Sequence, residues 1–481
     1  MQCSIPGGAG QLASFLSAFK AYDVRGIVDE GLTAASAEAA GAAFVDVLGL
    51  TGVEVLVGGD ARPSSPGLEA AFAAGAAARG ANPVMLGRIS TDQLYYACGV
   101  RAAAGAVFTA SHNPAEYNGI KLARPGAVPV SAETGLYAVR DAAAAYLAAG
   151  IPDPEAAGVV LGTISSADML LGYAEHLRAL VDLAGIRALK VVVDAGNGMA
   201  GLTTPAVLGD ELLPALPLEI VPLYFELDGT FPNHPANPLE PENLLDLQAA
   251  VVEHGADIGL AFDGDADRCF VVDERGTPVS PSAITALVAS RAISRAQAAG
   301  ESEPVIIHNL ITSRAVPELV AAKGGRSVRT RVGHSFIKAV MATEGAVFGG
   351  EHSAHYYFRD FFNADTGMLA AMHVLAALGS QDRPLSELVR EYDPYFASGE
   401  INSEVTDKES AVERVLLAFR GEQVSVDTLD GTTVSEVDGS WWFNLRPSNT
   451  EPFLRFNGEA KEETVMAYIR DRVLTLVRQG I

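Results

Sequence analysis

The sequence predicts an α/β protein of several domains, in which three successive α/β segments precede a fourth segment of α+β type. Its 481 residues exceed what one hydrophobic core usually holds. Short runs rich in β-branched residues alternate with helical runs rich in alanine and leucine, a pattern typical of mostly parallel sheets flanked by helices. The order changes near Tyr392, beyond which strand-like runs dominate. These observations indicate a change of fold class near the carboxyl end.

Strands and helices can be assigned in each segment from the spacing of apolar residues. The strand and helix pairs that mark the three α/β segments are 53–57 with 67–79, 190–194 with 242–254, and 305–308 with 314–323. The last segment is predicted to contain strand 400–405, helix 410–419, and strands 440–445 and 453–458. Joints are expected where proline and glycine cluster. They divide the chain into domains at 1–158, 159–278, 279–390 and 391–481.

Charge and composition exclude several classes of function. Lys and Arg total 34 against 59 Asp and Glu, a formal net charge of −25, so we expect neither a nucleic acid nor a membrane partner. The chain has no apolar run of about 18 residues, and its start lacks the layout of a signal peptide, which predicts a cytoplasmic protein. The cysteines show no CxxC pair and are predicted to be buried or inert thiols: Cys3, Cys98 and Cys269.

The first motif that could carry chemistry is TASHNP at residues 109–114. It follows a strand-like run, and open α/β sheets bind ligands at the carboxyl ends of their strands. Because His112 is the sequence neighbour of Ser111, a hydrolytic triad is not indicated. A serine that carries a phosphate fits better, since Lys121 and a metal could neutralise the dianion. The alternative is an ordinary helix N-cap serine with Pro114 in the first turn.

The second motif is DGDADR, which lies between two strand-like runs. Asp263, Asp265 and Asp267 can converge on one cation if the backbone turns around it, and such oxygen ligation suits Mg²⁺ or Ca²⁺. An EF-hand is disfavoured because Arg268 occupies the position where that loop needs glycine. A solvated acidic turn without an ion is the other alternative, but three close carboxylates repel one another. The pattern favours Mg²⁺ with phosphate as a further ligand.

A third motif, GNGMAG at residues 196–201, matches the dinucleotide-binding pattern G-x-G-x-x-G. An NAD-dependent oxidoreductase would follow from it. The stretch that follows, residues 202–205, ends in Pro205 and is expected to interrupt the helix that this pattern requires. A tight turn without a ligand is therefore favoured.

Two later loops offer groups for a phosphosugar. In residues 350–355, Glu351, Ser353 and His355 supply two acceptors and one titratable donor, which suits sugar hydroxyls. In residues 446–452, Arg446 can hold a phosphate through two nitrogens. The neighbouring polar side chains that could fill the remaining phosphate acceptors are Ser448, Asn449 and Thr450.

Taken as a set, these loops resemble those of the α-D-phosphohexomutase family over the whole chain. TASHNP is similar to its phosphoserine loop, DGDADR to its metal loop, GEHSAH to its sugar-specificity loop and RPSNTEP to its phosphate-binding loop. The segment YDVRG at residues 22–26 is similar to the family's opening YDxRG. The resemblance implies three similar mixed-sheet α/β domains plus a C-terminal α+β domain around a central cleft, with one of these loops in each domain.

The resemblance also implies a function. The enzyme would interconvert hexose 1-phosphate and hexose 6-phosphate through a phosphoserine and a hexose 1,6-bisphosphate, which is both intermediate and activator. It would use Mg²⁺ bound by Ser111, Asp263, Asp265 and Asp267. Catalytic roles are implied for Ser111, Arg25, Lys121 and Arg268, with His355, His334 or Lys121 left open as the acid/base. Substrate contacts are implied for Tyr22, His112, Asn113, Glu351, Ser353, His355, Arg446, Ser448, Asn449 and Thr450. Both a monomer and a homodimer remain open.

The sugar preference is implied by the loop GEHSAH. Its terminal histidine is closer to the branch that accepts mannose and glucose than to the glucose branch, with GEESGG, or the glucosamine branch, with GEQSGH. Phosphoglucosamine mutase activity is therefore the alternative within the family. The chain departs from the GEMSGH pattern at His352 and Ala354, and it has Leu310 where the resemblance leads us to expect a lysine.

Overall fold

A computed structural model describes residues 8–448 and 453–479; the side chains of residues 8, 9, 334 and 335 lie outside the described part. The chain forms two compact units. Unit 1 comprises the described residues of Met1–Val279, Met341–Phe348 and Ser353–Leu388. Unit 2 comprises those of Ser280–Val340, Gly349–His352 and Val389–Ile481. The third α/β segment of the sequence is thus divided between both units.

The first α/β region contains a seven-stranded mixed sheet in the order β1-β5-β4-β2-β3-β7, with β6 paired to β5. Strand β2 is parallel to β3 and β4, whereas β5 is antiparallel to β1 and β4. The hydrophobic core of this region includes the aromatic side chains Phe44, Phe72 and Phe108, which come from helices α2 and α3 and strand β4. The elements are α1 Gly8–Ala18, β1 Val24–Ile27, α2 Ala34–Leu48, β2 Glu54–Gly59, α3 Ser65–Ala78, β3 Asn82–Arg88, α4 Thr91–Val100, β4 Ala104–Phe108, β5 Tyr117–Arg124, β6 Val128–Pro129, α5 Leu136–Ala149 and β7 Ser165–Ser166.

The second α/β region has a five-stranded mixed sheet in the order β12-β11-β10-β8-β9. Its central strand β10 is buried at every position, as expected for a strand covered on both faces. Strand β10 runs parallel to β8 and antiparallel to β11. The elements are α6 Leu170–Leu180, β8 Leu189–Asp194, α7 Ala200–Val207, β9 Leu218–Leu223, α8 Leu245–His254, β10 Ile258–Phe262, β11 Cys269–Asp273 and β12 Pro278–Val279.

The third region again contains both parallel and antiparallel strand pairs. Strands β13 and β14 are parallel and belong to unit 2, whereas β16 and β17 are antiparallel and belong to unit 1. The elements are α9 Pro281–Ala298, β13 Val305–Asn309, α10 Ala315–Ala322, β14 Arg326–Thr330, α11 His334–Glu344, β15 Phe348–Gly350, β16 Tyr356–Phe358, β17 Ala364–Asp365, α12 Gly367–Gly379 and α13 Leu385–Leu388.

The last region differs in class, because its sheet is antiparallel in every described strand pair. The strand order is β18-β23-β22-β21-β20, with β19 paired to β23, and helices α14 and α15 pack on an aromatic core. The elements are β18 Phe396–Ala397, β19 Ile401–Glu404, α14 Lys408–Ala418, β20 Val424–Asp427, β21 Thr432–Glu436, β22 Trp441–Pro447, β23 Phe453–Ala460 and α15 Glu463–Val477. This confirms the predicted change from α/β to α+β.

One helix contradicts the sequence analysis. Pro205 was expected to interrupt a helix after the glycine-rich turn, yet α7 contains Pro205 as its sixth residue. Proline removes one backbone donor and clashes with the carbonyl four residues earlier, a cost that a short helix can carry when its surroundings hold it. Helix α7 is largely buried, so its packing outweighs the local penalty.

Two further expectations concern composition. Cys98 and Cys269 are buried, so the prediction of buried thiols is confirmed for them, and burial raises the pKa of both. Cys3 lies outside the described residues. Among the helices of the described ranges, none is long and apolar enough to cross a membrane.

Candidate active site

The serine loop, residues 109–117, runs in unit 1 from the end of strand β4 to Tyr117, the first residue of strand β5. It forms turns and leads directly into β5 without an intervening helix, so the N-cap alternative for Ser111 is wrong. Ser111 adopts a φ of 50°, in the left-handed region that residues with a side chain rarely occupy. Its backbone N–H donates to Thr109 Oγ1 at 2.9 Å. The loop therefore stores backbone strain at the residue that was predicted to carry phosphate.

The hydroxyl of Ser111 points at the aspartate loop, residues 263–268. Ser111 Oγ donates to Asp263 Oδ2 at 2.7 Å and lies 3.1 Å from Nδ1 of His112. Burial lowers the pKa of His112 well below its usual value, and the nearby Arg268 and Arg25 lower it further. His112 is therefore a neutral ring at physiological pH. It can take part in hydrogen bonding but supplies no positive charge.

The aspartate loop connects antiparallel strands β10 and β11. Asp263, Asp265 and Asp267 are all buried, and one carboxylate oxygen of each lies within 4.8 Å of the others. Ala266, at φ 60°, makes the turn that brings these alternate positions together. Strands flank the loop and its carboxylates are out of solvent, so both the EF-hand and the solvated-turn alternatives are wrong.

Lys121, on strand β5, neutralises part of this acidic cluster. Its Nζ donates to Asp265 Oδ2 at 2.7 Å and to Asp267 Oδ2 at 2.6 Å. Burial alone would lower the pKa of Lys121, but the two carboxylates outweigh it and hold this pKa well above the usual value. Burial would likewise raise the pKa of Asp265, but Lys121 and the hydroxyl of Thr91 lower it. This ion pair is therefore charged at neutral pH.

The remaining carboxylate oxygens indicate a cation. Asp265 Oδ1 and Asp267 Oδ1 are buried, and within the described ranges neither accepts a hydrogen bond. Burial raises the pKa of Asp263 to about 7 against the opposing effect of Arg268, and the neighbouring Asp267 and Asp265 add to the rise. Buried carboxylate oxygens without donors are costly unless an ion or proton satisfies them. This all-oxygen donor set fits a hard divalent cation such as Mg²⁺.

Close backbone contacts hold the two loops together. A Cβ on Gly264 would lie 2.5 Å from the carbonyl oxygen of Ser111, so only glycine permits this approach. On the other side, Met199 N–H donates to the Gly264 carbonyl at 3.0 Å. The glycine-rich turn at residues 196–201 thus contacts the aspartate loop.

Arg25, on strand β1, also contacts the serine loop. Its Nε donates to Asp23 Oδ2 at 2.8 Å, and its Nη1 donates to Asn113 Oδ1 at 2.7 Å. Burial opposes the charge of Arg25, but Asp23 outweighs it and raises the Arg25 pKa. Tyr22 is half-buried just before this strand. The structure thus brings Arg25 and Asn113 to the serine loop.

Arg268 and His355 lie beside the carboxylates of the aspartate loop. Arg268 Nε donates to Asp263 Oδ2 at 2.9 Å, and the backbones of Arg268 and His355 form an isolated antiparallel bridge. His355 Nε2 lies 3.7 Å from Asp267 Oδ1, and His355 Nδ1 is 3.0 Å from Ser353 Oγ. Asp365 was missed by the sequence analysis, although its carboxylate lies within 4.8 Å of the ligand atoms of His355 and Asp267.

In unit 2, Glu351 is buried and anchored rather than exposed. Its Oε1 accepts from Asn309 Nδ2 at 3.1 Å and from Gly333 N–H at 3.2 Å. The next residue, His352, lies with Nδ1 3.1 Å from Ser282 Oγ. Leu310, the position at which a lysine was expected, is 4% exposed. The side chain of His334 lies outside the described part of the chain.

The last region of unit 2 carries two arginines on neighbouring strands. Arg446 pairs in register with Arg455, and both face Glu400, at 3.9 Å and 3.2 Å respectively. Lys408 Nζ donates to the Ser448 carbonyl at 3.2 Å, and Ser448 N–H donates to the Phe453 carbonyl at 2.9 Å. Asn449 and Thr450 lie outside the described residues.

Four contributors to these clusters were not predicted: Thr91, Asp365, Lys408 and Arg455. Thr91 begins α4 and donates to Asp265 Oδ2 at 2.6 Å. Lys408 and Arg455 are single charges within ordinary helix and strand patterns. Only the folded chain distinguishes them, because Arg455 pairs with Arg446 across two strands and Lys408 donates to the Ser448 carbonyl. Thr91 could have been predicted from its position, because it begins a helix that follows a strand, where α/β proteins often place site residues.

The fold and these loops can be compared with known proteins. Four sequence profiles described as phosphoglucomutase/phosphomannomutase, alpha/beta/alpha domains I, II and III and C-terminal domain, match the chain in order. They cover residues 16–146, 172–276, 280–395 and 400–476.

Full-length relatives agree with the profiles. The chain is 40% identical over 467 residues to phosphohexose mutases of Xanthomonas campestris pv. campestris, covering 97% of this chain and 100% of the relative. It is 40% identical to a phosphomannomutase of Salmonella typhimurium, covering 95% and 98%. A crystal structure of a phosphoglucomutase/phosphomannomutase family protein from Burkholderia thailandensis superposes with a TM-score of 0.82 at 31% identity, covering 97% and 98%.

The four matching profiles and the full-length relatives define an enzyme of phosphoryl transfer. The chain belongs to the phosphoglucomutase/phosphomannomutase family of α-D-phosphohexomutases. It is an isomerase, a hexose phosphate mutase, and not the NAD-dependent oxidoreductase that the glycine-rich turn allowed as an alternative.

Proposed function

We propose that this mutase moves phosphate between C1 and C6 of mannose and glucose, and that Ser111 Oγ carries the phosphate. The observation that supports this most directly is the 2.7 Å contact of Ser111 Oγ with Asp263, in a loop packed against three buried aspartates. A serine oxygen beside a metal-binding cluster can hold a phosphate whose charge is neutralised on both sides.

The transfer balances as two exchanges. In the first, the bond between Ser111 Oγ and phosphorus breaks while the free sugar hydroxyl oxygen bonds to phosphorus; that hydroxyl's proton passes to a base, and Ser111 Oγ takes up a proton. The product is a hexose 1,6-bisphosphate. In the second, Ser111 Oγ gives up its proton and bonds to the other phosphorus, the sugar oxygen leaves and takes a proton, and the isomeric monophosphate is released. Phosphate and protons are conserved over the cycle.

We propose Mg²⁺ as the cation of the aspartate loop, with Asp263, Asp265, Asp267 and the Ser111 oxygen as its ligands. The support is the pair of buried oxygens on Asp265 and Asp267 that accept no hydrogen bond within the described residues. When bound, Mg²⁺ would supply positive charge at the transferring phosphoryl group. Asp263 would exchange its hydrogen bond from Ser111 for the metal once Ser111 carries phosphate.

Positively charged side chains of the protein would neutralise the rest of the negative charge on the transferring phosphoryl group. Arg25, Lys121 and Arg268 each contact an oxygen of the serine or aspartate loop, so their charges are in place before substrate binds. Preorganised charge of this kind stabilises a phosphoryl transition state without reorganisation during the reaction. Within the described chain Arg268 Nη2 is buried without a hydrogen-bond partner, which leaves it free to donate to a phosphoryl oxygen.

We propose His355 rather than Lys121 as the acid/base. Asp265 and Asp267 hold the Lys121 pKa well above its usual value, so Lys121 keeps its proton and acts as a cation. His355 has one ring nitrogen 3.0 Å from Ser353 Oγ and the other facing Asp267 across 3.7 Å. Its ring is thus oriented by two groups and is adjacent to the aspartate loop.

The remaining predicted residues are proposed to recognise the sugar and its second phosphate. Glu351, Ser353 and His355 would bind hydroxyls, and Tyr22, His112 and Asn113 would contact substrate at the serine loop. Arg446 and Ser448, with Asn449 and Thr450, would bind the phosphate that is not being transferred. The support in unit 2 is the pair Arg446 and Arg455, which both face Glu400, together with Lys408, which donates to the carbonyl of Ser448.

A coupled assay tests this proposal. Mannose 1-phosphate, glucose 1-phosphate and glucosamine 1-phosphate are compared in Mg²⁺ with a trace of glucose 1,6-bisphosphate, alongside intact-mass analysis of the purified protein. We expect turnover of the first two sugars, and a phosphorylated fraction that Ser111→Ala removes together with activity. Ser166→Ala, at an exposed serine of β7, is the matched control. Full activity in Ser111→Ala would refute the phosphoserine, and preference for glucosamine 1-phosphate would refute the sugar assignment.

A further inference from the structure

Arg62, which follows strand β2, has a fully buried side chain and uses all of its hydrogen-bond donors. A guanidinium carries five N–H donors in a planar fork. Nε donates to Asp60 Oδ2 at 3.1 Å. The two Nη atoms donate to four backbone carbonyl oxygens of the serine loop, those of Ser111 at 3.0 Å, Asn113 at 2.7 Å, Pro114 at 2.6 Å and Tyr117 at 2.8 Å. One side chain thus binds most of the loop.

The loop needs such a partner. Residues 111–116 belong to neither a helix nor a strand. In the described structure the Pro114 carbonyl also accepts from Tyr117 N–H, at 3.1 Å, and the Glu116 carbonyl from Val28 N–H, at 3.0 Å, whereas the carbonyls of Ser111 and Asn113 accept from Arg62. A buried carbonyl without a donor costs about 1–3 kcal/mol. In addition, the φ of 50° at Ser111 persists only if the surroundings impose it. Arg62 supplies the donors that favour this particular conformation.

The other face of Arg62 contacts the second α/β region. The Phe231 ring lies 5.1 Å from Arg62 Cζ, and Gly229 packs so closely that a Cβ on it would be 2.3 Å from Arg62 Cα. Phe231 also approaches the aspartate loop, since its Cζ would lie 3.5 Å from a Cβ on Gly264. Arg62 therefore joins the serine loop to a segment that touches the aspartate loop.

We propose that Arg62 is a positioning residue for phosphoryl transfer, which holds the serine loop so that Ser111 Oγ faces Asp263. This inference rests on the proposed function. Arg62 bonds only to Asp60 and to backbone carbonyls in the described structure, and it acts on the reaction through the loop. A displacement of about 1 Å at a reacting atom can cost about a hundredfold in rate.

Replacement of Arg62 by lysine would distinguish an effect of its positive charge from an effect of its hydrogen-bond geometry. Its ammonium keeps the positive charge but has three donors on one nitrogen, and cannot span four carbonyls as a planar fork does. Methionine would remove both charge and donors at similar length. If Arg62 acts by charge, Arg62→Lys should retain activity; if it acts by positioning, both variants should lose it.

The experiment measures kcat and KM for glucose 1-phosphate, with rates expressed per phosphorylated enzyme, and follows the rate at which glucose 1,6-bisphosphate phosphorylates Ser111. We expect both Arg62→Lys and Arg62→Met to lower kcat and the phosphorylation rate about a hundredfold, with KM within about threefold of the wild type. Arg101→Met, which removes an exposed arginine paired with Glu54, should leave all three values unchanged.

Wild-type kcat in Arg62→Lys would overturn the inference, as would a loss confined to the yield of folded protein with normal kcat per phosphorylated enzyme. If the Arg62 variants do not fold, Phe231→Leu provides the test, because it removes the ring over Arg62 and leaves the arginine in place. A severalfold fall in its kcat with unchanged KM supports the inference, and unchanged kcat overturns it. An inactive wild type would instead refute the proposed function itself.

Discussion

Lys121 and its carboxylate partners in the aspartate loop of unit 1 are more deeply buried than the arginine pair of unit 2, Arg446 and Arg455. Their ion pairs are also shorter. In unit 1, Lys121 has a side chain only 9% exposed, and its two carboxylate partners are buried at 2.7 Å and 2.6 Å. In unit 2, the side chains of Arg446, Arg455 and Glu400 are 16%, 27% and 29% exposed, and the contacts are longer.

The difference matches the two tasks that a mutase must perform. Buried charges are costly to desolvate and are retained only when fully paired, but they act strongly on charge that develops in a transition state. Partly exposed arginines keep part of their hydration, so they would bind and release a phosphate at lower cost. Substitutions in unit 1 should therefore affect kcat, whereas those in the arginine pair should affect KM.

The largest effect is expected at the aspartate loop. Asp265→Asn removes a carboxylate that pairs with Lys121 and accepts from Thr91, and we expect kcat to fall at least about a thousandfold through lost Mg²⁺ and misplaced cation. Chelation of the metal in the wild type should have the same effect. Calorimetric titration with Mg²⁺ and steady-state kinetics measure this. Asp46→Asn, at a surface ion pair with Arg79, is the control. Normal Mg²⁺ affinity in Asp265→Asn would contradict the assignment.

The next effect is expected at the arginine pair. Arg446→Lys keeps the charge but loses bidentate binding of phosphate, so KM for glucose 1-phosphate should rise about tenfold to thirtyfold with kcat within about threefold. Steady-state kinetics measure both values. Arg472→Lys, at a surface pair with Glu422 in the same region, should change neither. A fall in kcat at constant KM would show that the two clusters are not specialised as proposed.

A smaller effect is expected on stability at Glu69, which lies beside Asp60 and is 6% exposed. Burial raises its pKa to about 7, with Asp60 adding to the rise, against 4.5 for the exposed group. The folded state therefore holds a proton that the unfolded state loses, so stability falls as pH rises from 4.5 through 7. In Glu69→Gln, the free energy of unfolding should fall by about 2 kcal/mol less than in the wild type over this pH range.

Melting temperatures at pH 5 and pH 8 test the Glu69 prediction. From pH 5 to pH 8, the melting temperature of the wild type should fall by about 4 °C more than that of Glu69→Gln. Glu133→Gln, an exposed glutamate of the same region, serves as control and should follow the wild type. Equal pH dependence in the wild type and Glu69→Gln would show that burial of Glu69 carries no such cost.

The smallest effect is expected at His352. Its ring contacts Ser282 Oγ, which in turn accepts from Ser313 N–H at 3.1 Å, so the side chain is engaged within unit 2. His352→Met should therefore change the ratio of kcat/KM for mannose 1-phosphate and glucose 1-phosphate by less than about threefold. A larger change would identify His352 as a determinant of sugar choice, and Glu351→Gln, which should impair both sugars, provides the comparison.

The sequence predicted what local patterns specify. Alternating strands and helices gave the fold class correctly, and Ser111 and the aspartates could be identified because each motif follows a strand. The N-cap alternative for Ser111 failed because the chain turns directly into β5. The prediction that Pro205 interrupts the helix was wrong, because the burial of α7 outweighs the low helix propensity of proline. Arg62 could not be predicted, since its partners are carbonyl oxygens about 50 residues away that any sequence would supply.

The left-handed backbone at Ser111 has a consequence for laboratory evolution of this enzyme. Glycine would occupy that conformation without strain, so Ser111→Gly is a candidate stabilising substitution that also deletes the hydroxyl proposed to carry the phosphate. A library selected only for thermal tolerance would be enriched in chains that have lost chemistry at this position. Directed improvement of this enzyme therefore requires turnover as part of every selection round.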